Sequence, residues 1–218
     1  MRCCSQGEIE RVPAGLEPDP SFRALLGDLA WRRLPSAVRE RFAWKPAPGA
    51  EIRYRGVMAV VRRSTIGALM AQLCRLIGTP LAPYGGDDVP VTVVLRSDHK
   101  SGGIVWDRVY AFSGRAAVHC ASIKRVSGRD GLLECVGGGV GMWLALTEWQ
   151  GELHFRSTGY FWECGGLRLR VPSWLTPGAL HVVHADLGAG RFRFRIAVRH
   201  RFLGETFFQD GIFAADRR

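Results

Sequence analysis

One segment near the C-terminus, residues 191–200, constrains the fold more than any other. It alternates strictly between polar and apolar residues, with Phe192, Phe194, Ile196 and Val198 in one phase and four arginines in the other. Because successive side chains of a strand point to opposite faces, this alternation predicts an antiparallel strand with one buried face. Two phenylalanines on that face indicate that the core beneath the strand is deep.

The segment that follows, residues 204–213, places polar side chains on an apolar face. Glu205 and Gln209 share the phase of Phe207 and Phe213. A polar group on a buried face needs hydrogen-bond partners, and a cluster of such partners is a common basis for a binding site. The two strands therefore indicate where a site would lie, but they do not identify a reaction.

The composition is typical of a globular protein with a substantial core. The chain has 218 residues, enough for one large domain or two small ones, and 47% of them are hydrophobic. No window contains the roughly 18 consecutive apolar residues of a membrane-spanning helix. The N-terminus lacks the apolar segment of a signal peptide, which predicts a cytoplasmic protein. Six scattered cysteines fit reduced thiols better than a disulfide framework or a zinc site.

The formal net charge of +10 raises the question of a nucleic-acid partner. Nearly all of the positive charge is arginine, since lysine occurs only at Lys45, Lys100 and Lys124. The arginines are spread along the chain, a pattern more typical of a solvated surface than of a nucleic-acid interface. For the arginine face of residues 191–199, an anionic partner such as a membrane surface, a phosphate or a nucleic acid stays open as the alternative.

Helical patterns dominate the first third of the chain. Residues 1–20 contain three prolines and predict a flexible N-terminal tail, while apolar spacing predicts short helices over 21–29 and after Pro35. A strand is expected over 51–63. The next helix, 65–77, carries apolar side chains around a wide arc, which predicts that it is buried against a sheet.

From residue 89 onward the pattern is almost entirely one of short strands joined by glycine-bearing turns. The predicted strands are 89–97, 104–112, 115–125, 131–136, 140–148, 152–163, 179–187, 191–200 and 204–213. Residues 172–177 break the pattern with two prolines and predict a short helical or irregular lid. Short links favour an antiparallel meander over a parallel, dinucleotide-binding sheet.

The expected fold is therefore α+β. We predict one long, curved antiparallel sheet of about nine to ten strands, wrapped around one buried helix and preceded by short N-terminal helices. Residues 21–214 would form this single domain, and residues 215–218 would form a C-terminal tail.

Several motifs, in their order along the chain, resemble a known bacterial family. They are Trp106-x-Arg108, Leu169-Arg-Val-Pro-Ser-Trp-Leu, His181-Val-Val-His184-x-Asp186, Gly190-Arg-Phe-Arg-Phe and Arg199-His-Arg-Phe-Leu-Gly-Glu-Thr-Phe-Phe-Gln-Asp-Gly211. The chain resembles domain of unknown function 4166 over about residues 20–214, and the C-terminal motif is the most specific part. The resemblance implies no established activity. This family also occurs fused to saccharopine-dehydrogenase-like domains, which implies an NADP-dependent oxidoreductase as a candidate partner.

No cofactor site is predicted in the chain itself. A dinucleotide-binding chain needs G-x-G-x-x-G directly after a strand, and that motif is missing from the sequence. The nearest candidate, Gly137-Gly-Gly-Val-Gly141, lies between two predicted strands and is interpreted as a turn or bulge.

The strand around residue 108 supplies the strongest candidate for a ligand site. Arg108 shares its apolar face with the aromatic residues Trp106 and Tyr110. A buried charge without a partner is strongly destabilising, so this guanidinium must meet a carboxylate, backbone carbonyls or a ligand anion. Glu134 and Glu205 are the candidate carboxylates. One interpretation is a buried ion pair that fixes the strand register; the other is a polar anchor in an apolar pocket.

The histidines allow a catalytic interpretation as well. His181 and His184 would lie on opposite faces of a strand over 179–187, which argues against a joint metal site, and no metal is predicted. A histidine beside a carboxylate can act as an acid or base, so the catalytic candidates are His181, His184 and Glu205. Groups of this kind at a sheet edge are more often structural. Neither a G-x-S-x-G elbow nor an activated cysteine identifies a nucleophile.

These observations favour a binding module for a hydrophobic small molecule or lipid, with the polar end of the ligand at Arg108. The candidate ligand-binding residues are Trp106, Arg108, Tyr110, Glu134, Glu205, Phe207 and Gln209. Two alternatives stay open: an acid–base enzyme that acts on such a ligand, and an interaction module that docks on a separate oxidoreductase. The sequence does not distinguish a sheet that encloses a cavity from one packed solid.

Overall fold

The computed structural model describes residues 14–78 and 80–216. The N-terminal elements are strand β1 (Leu16–Pro18), helices α1 (Ser21–Leu26), α2 (Asp28–Arg33) and α3 (Ser36–Phe42), strands β2 (Trp44–Pro46) and β3 (Glu51–Arg63), and helix α4 (Thr65–Leu73). A 3₁₀ turn over Cys74–Ile77 extends α4. The remaining strands are β4 (Gly86–Asp98), β5 (Gly103–Tyr110), β6 (Val118–Ser127), β7 (Gly131–Cys135), β8 (Val140–Trp149), β9 (Glu152–Cys164), β10 (Leu167–Val171), β11 (Ala179–Gly188), β12 (Arg191–His200) and β13 (Gly204–Ala215).

Ten of these strands close into an antiparallel β-barrel. Neighbouring strands pair in the order β9-β11-β12-β13-β3-β4-β5-β6-β7-β8, and β8 pairs with β9 to complete the ring. Strand β10 pairs with β9 outside the ring. The prediction of an α+β fold with an open curved sheet wrapped around a buried helix is therefore wrong. The described chain is mostly β, and its sheet closes on itself and surrounds its own side chains.

Pairings between distant segments close the ring, which explains why local patterns did not reveal it. The first and last strands of the barrel pair, so that Tyr54 of β3 lies opposite Ala215 of β13. Strand β9 pairs with β8 along most of its length, while its residues 153–156 also pair with β11. Hairpin patterns in a sequence identify only consecutive partners. Closure satisfies the backbone groups that an open sheet would leave at its edges.

The helix predicted over 65–77 lies on the surface instead of inside the sheet. Leu69 and Leu73 of α4 are 61% and 59% exposed, and Leu76 in the turn that follows is 85% exposed. Only one flank of α4 is covered, where Gly67 is buried against the barrel. The prediction of a buried helix is wrong because a wide apolar arc does not specify which surface covers it, and the interior of the barrel is lined by side chains of its own strands.

The strand pattern of the sequence is otherwise confirmed. All the strands predicted between residues 51 and 213 are present, and β12 directs its phenylalanines inward. Strand β10 was not predicted. The segment predicted as a flexible tail contains β1, which pairs with β2, whereas its residues 1–13 lie outside the described part of the chain, as do residues 217–218 of the predicted C-terminal tail.

The barrel has a lower and an upper end, and each is covered by helices. The lower end, where β8 turns into β9 and β11 into β12, is covered by α1, α2 and α3. These helices bury Phe22, Trp31, Leu34, Val38 and Phe42. The upper end, where β12 turns into β13, is covered by α4 and the segment that joins it to β4. Within the described residues, none of the helices combines the length and apolarity needed to cross a bilayer.

Candidate functional site

The barrel leaves an internal space between its two ends. This space has a volume of about 110 Å³ and is bounded by Phe42 below and by Cys74, Pro80 and Leu81 above. A second chamber of about 30 Å³ adjoins it near α3. One water needs only about 10–15 Å³, and a protein cavity of roughly 150 Å³ holds benzene. The internal space therefore has the dimensions of a small organic molecule.

One group of polar side chains interrupts the apolar wall of this space. Arg108 donates through Nε to the carbonyl of Cys120 at 3.1 Å and through Nη2 to Ser122 Oγ at 3.4 Å. The Ser122 hydroxyl donates to Glu134 Oε1 at 2.6 Å, and Lys124 Nζ donates to the same oxygen at 3.0 Å. Arg108, Ser122 and Glu134 are buried, and the Lys124 side chain is only 11% exposed. Arg108, Ser122, Lys124 and Glu134 are called the polar cluster below.

The polar cluster contains two cations and one carboxylate. Burial opposes ionisation of Glu134, but the charges of Lys124 and Arg108, with hydrogen bonds from Ser122 and Lys124, hold the pKa of Glu134 below its ordinary value. Lys124 Nζ also lies 4.8 Å from the centre of the Trp106 ring, within range of a cation–π interaction. Burial lowers the pKa of Lys124, against the opposing effect of the Glu134 charge. With Lys124 protonated, the cluster places one excess positive charge in an apolar wall, which an anionic group would neutralise.

A second polar group lies at the lower end of the internal space. Arg41 Nη1 lies 2.7 Å from His184 Nε2, and since a guanidinium only donates, this ring nitrogen accepts. The carboxylate of Asp186 lies 3.8 Å from Arg41 and balances its charge. The His184 ring stacks on Phe192 at 4.6 Å between ring centres. Burial, together with the charge of Arg41, lowers the pKa of His184 well below its ordinary value, so the ring is a neutral acceptor.

Comparison with known proteins places this architecture in a family. The family described as Domain of unknown function (DUF4166) matches residues 34–213. This chain belongs to the DUF4166 family. The match begins just before α3 and reaches into β13, so it includes the barrel, the polar cluster and Phe42. The resemblance stated from the sequence is confirmed. No curated protein and no solved structure matches the chain significantly.

Three of the predicted ligand-binding residues of this DUF4166 domain line the internal space together. They are Trp106, Arg108 and Glu134. Glu134 reaches Arg108 through the hydroxyl of Ser122 instead of by direct contact. The indole Nε1 of Trp106 is shielded from solvent and has no hydrogen-bond partner in the described part of the chain. Trp106 therefore offers an unused donor beside the excess positive charge.

Tyr110, Phe207 and Gln209 lie in the core of the DUF4166 barrel and do not line the two chambers. The Tyr110 hydroxyl donates to Gln209 Oε1 at 2.8 Å, which ties β5 to β13 through the interior. Burial raises the pKa of Tyr110, and Gln209 Nε2 is buried with no partner among the described residues. Phe207 is packed in the core cluster.

The catalytic candidates lie in three separate places. His184 faces the internal space, whereas His181 Nε2 lies 2.9 Å from His154 Nδ1 on the outer face of the barrel. Burial, followed by nearby positive charges, lowers the pKa of His181 to about 4. Glu205 follows the turn between β12 and β13, and its carboxylate lies 3.7 Å from Arg199. Across residues 14–78 and 80–216, the structure groups no three His, Cys, Asp or Glu side chains that could hold a metal ion.

Sequence reasoning missed two members of the polar cluster, Ser122 and Lys124. Both share a face of β6 with Cys120, so the period-two pattern contained the signal. What the pattern did not contain was the register, which places Arg108 opposite Cys120 and orients this face of β6 toward the guanidinium. In the sequence, Lys124 is distinguished only as one of three lysines in an arginine-rich chain.

Proposed function

We propose that this DUF4166 domain binds a small hydrophobic molecule that carries an anionic group. The apolar part of the ligand would occupy the barrel, and the anion would meet the polar cluster. The observation that carries this proposal is the excess positive charge in an otherwise apolar wall. Sites for small molecules characteristically combine apolar burial with a few polar groups that fix orientation.

Unused hydrogen-bond donors support an anion at this position. Arg108 uses Nε and Nη2 for its contacts with Cys120 and Ser122, and its Nη1 makes no hydrogen bond within the described residues. The Nε1 of Trp106 is likewise unpartnered there. Both groups donate and neither accepts, so a carboxylate or another oxyanion is the complementary ligand group.

The size of the internal space favours a short or aromatic body over a long lipid tail. About 110 Å³ is somewhat less than the roughly 150 Å³ cavity that accommodates benzene. A longer chain would have to displace the residues that bound the space above, Cys74, Pro80 and Leu81. We therefore infer a small monocarboxylate as the ligand class.

Neither alternative gains a specific observation. An acid–base mechanism with Glu205 would need that carboxylate at His184, but Glu205 lies outside the barrel beside Arg199. His181 lies on the outer face, next to His154. A partnership with an NADP-dependent oxidoreductase is implied only by the domain fusions of the family.

The proposal is tested by calorimetric titration with hexanoate and with hexan-1-ol, which share an apolar chain and differ in charge. A hydrogen bond to a charged group contributes about 1.5–3 kcal/mol, so we expect hexanoate to bind at least about 10-fold more tightly. Arg108→Gln should remove this preference, because it removes the excess charge and the free donor. Arg191→Gln changes an exposed arginine on β12 and serves as the matched control.

Equal affinities for hexanoate and hexan-1-ol in the wild type would refute the proposal, as would an Arg108→Gln variant that retains the preference. Arg108→Lys keeps the charge but loses the forked donor geometry, so it should retain part of the preference. The melting temperature of each variant shows whether the barrel is intact before its titration is interpreted.

A further inference from the structure

Exposed apolar side chains are concentrated at the upper end of the barrel. Six large ones that are more than half exposed lie on α4 and its extension, on the turn over Ser173–Leu175 and on the β12–β13 turn: Leu69, Leu73, Leu76, Trp174, Leu175 and Phe202. A seventh, Leu167, is 63% exposed and lies on β10 beside the C-terminal end of β9. At the lower end, among the described residues, only Leu29 and Trp149 reach the same exposure. Large apolar patches on one face of a soluble domain commonly mark a contact surface. These six residues are called the apolar rim below.

Three segments bring the apolar rim together as one surface. The amide of Ser64, the N-cap of α4, donates to the carbonyl of Thr206 at 3.1 Å. The Thr206 hydroxyl donates to the carbonyl of Pro177 at 2.7 Å. Gly67 packs so closely on the same strand that a Cβ there would lie 1.8 Å from the Thr206 carbonyl oxygen. The start of β13 therefore holds α4 and the turn over Ser173–Leu175 side by side.

Exposed arginines without carboxylate partners flank the apolar rim. Arg62, Arg75 and Arg201 are exposed, and within the described residues none of them forms an ion pair. Arg199, which is 76% exposed, has only Glu205 at 3.7 Å. Two exposed carboxylates, Asp87 and Asp88 at the start of β4, lie at the same end of the barrel. The rim thus combines leucines, a tryptophan and a phenylalanine with more arginines than carboxylates.

We propose that the upper end of the barrel docks on an anionic lipid bilayer. The apolar rim would enter the boundary between headgroups and acyl chains, and the arginines would contact lipid phosphates. Tryptophan and arginine side chains suit this boundary, and each basic residue near an anionic leaflet strengthens binding. An extended anionic surface can meet all four arginines at once, which is the charge complementarity that favours a bilayer over a protein partner.

Docking would also place the upper boundary of the internal space against the membrane. Cys74 and Leu81 line that space and belong to the segment that carries Leu73 and Leu76. A hydrophobic ligand that partitions into the bilayer would then meet the barrel at this end. This last step rests on the proposed function, whereas the docking itself does not.

The test is sedimentation with vesicles of phosphatidylcholine alone and of equal parts phosphatidylcholine and phosphatidylglycerol. We expect the wild type to bind the anionic vesicles at least about 10-fold more strongly, and less strongly as salt is added. The double variant Leu69→Asp, Leu73→Asp should lose at least about 10-fold of this binding. Trp149→Asp introduces one such negative charge at an equally exposed position on the lower end and should bind like the wild type.

A triple variant separates charge from apolar contact. Arg62→Gln, Arg75→Gln, Arg201→Gln should lose the preference for phosphatidylglycerol. All these positions are exposed, so circular dichroism should be unchanged. Hexanoate titration of the Leu69→Asp, Leu73→Asp variant in solution should match the wild type, so a failure of docking can be told apart from a failure of the proposed function.

The proposal is overturned if the wild type binds neither vesicle, or if Trp149→Asp weakens binding as much as the rim variant does. It is also overturned if the wild type forms a concentration-dependent dimer that Leu69→Asp, Leu73→Asp abolishes while neither vesicle is bound. In that case the apolar rim would be an interface between two copies of this chain.

Discussion

At the lower end of the barrel the short helices bury Phe22, Val38 and Phe42 almost completely, whereas at the upper end α4 leaves Leu69 and Leu73 in solvent. Both sets of side chains come from short amphipathic helices that cross an opening of the same barrel. The difference in burial depends on which structural elements cover each set of helices. The lower helices find strand side chains such as Phe155, while most of α4 finds no covering element in the described chain. Apolar composition alone therefore does not set burial.

The charges at the two ends differ less than their apolar residues do. Near the lower end, Arg23 pairs with Asp28 at 2.7 Å and Arg33 pairs with Glu148. Arg32, Arg129 and Arg191 at the same end are exposed and form no ion pair within the described residues. Unpaired charge favours association where it lies beside exposed apolar groups. The apolar rim, and not the pairing of charges alone, therefore gives the upper end the properties of a contact surface.

The largest expected difference between the two ends is in stability. Phe42→Ala removes a buried ring that packs against Phe22, Phe155 and Trp106, so we expect a loss of about 3–5 kcal/mol in the free energy of unfolding. Leu73→Ala should change it by less than about 0.5 kcal/mol, because that side chain is already in solvent. Urea denaturation of both variants measures the difference. Similar losses would show that α4 is buried as deeply as α3.

The next largest expected effect is a change in stability from the packing of α4 on β13. Alanine is the better helix former, so Gly67→Ala would stabilise a free helix by about 1 kcal/mol. In this barrel the added Cβ would strike the Thr206 carbonyl, and we expect a loss of about 1–3 kcal/mol instead. Gly128→Ala, where nothing lies within 4 Å of the added Cβ, is the control. A gain in stability for Gly67→Ala would mean that α4 does not rest on β13.

A smaller effect appears in the pH dependence of stability. The pKa of His184 is lowered in the folded state from its ordinary value of 6.5, so the unfolded chain takes up the proton first as the pH falls. Stability is therefore complete above about pH 6.5 and declines below it, with a slope of up to about 1.4 kcal/mol per pH unit for one proton.

The contribution of His184 can be isolated by substitution. His184→Gln keeps an acceptor for Arg41 and should make the decline below pH 6.5 shallower. His181, whose pKa is about 4, should account for part of the slope that is left. Urea titrations at several pH values measure both slopes. An unchanged slope in His184→Gln would contradict a neutral, buried His184 at the lower end.

The smallest effect distinguishes paired from unpaired surface arginines. Arg33→Gln breaks the pair with Glu148 at the lower end and should cost less than about 1 kcal/mol. Arg62→Gln at the upper end breaks no ion pair in the described chain and should leave the free energy of unfolding unchanged. A larger loss for Arg62→Gln than for Arg33→Gln would mean that the upper arginines are structural.

The sequence predicted what depends on neighbouring residues. Alternation along residues 191–200 placed Phe192 and Phe194 inward, and the arginine between Trp106 and Tyr110 marked the wall of the internal space. Closure of the barrel was not predictable from local alternation, because it depends on the pairing of β3 with β13, and most of the sequence lies between these two strands. The position of α4 was missed for a related reason: once the ring closes, a helix of that size has no place inside it.

The same limit applies to the site. Arg108 and Glu134 were recognised because each is a charge on an apolar strand face. The excess positive charge was not recognised, because it depends on the strand register that brings Lys124 to the carboxylate of Glu134. Glu205 was predicted to face the site because its phase matches that of Phe207. At Glu205, however, β13 extends beyond the end of the barrel, and the carboxylate lies beside Arg199.

The most direct test of anion binding at the polar cluster is a crystal structure of the domain grown with hexanoate. We expect the ligand inside the barrel, with its carboxylate within hydrogen-bond distance of Arg108 Nη1 and Trp106 Nε1 and its chain toward Met142 and Val198. Hexanoate bound only on the outer surface, or inside with its carboxylate turned away from Arg108, would show that the polar cluster does not select an anion.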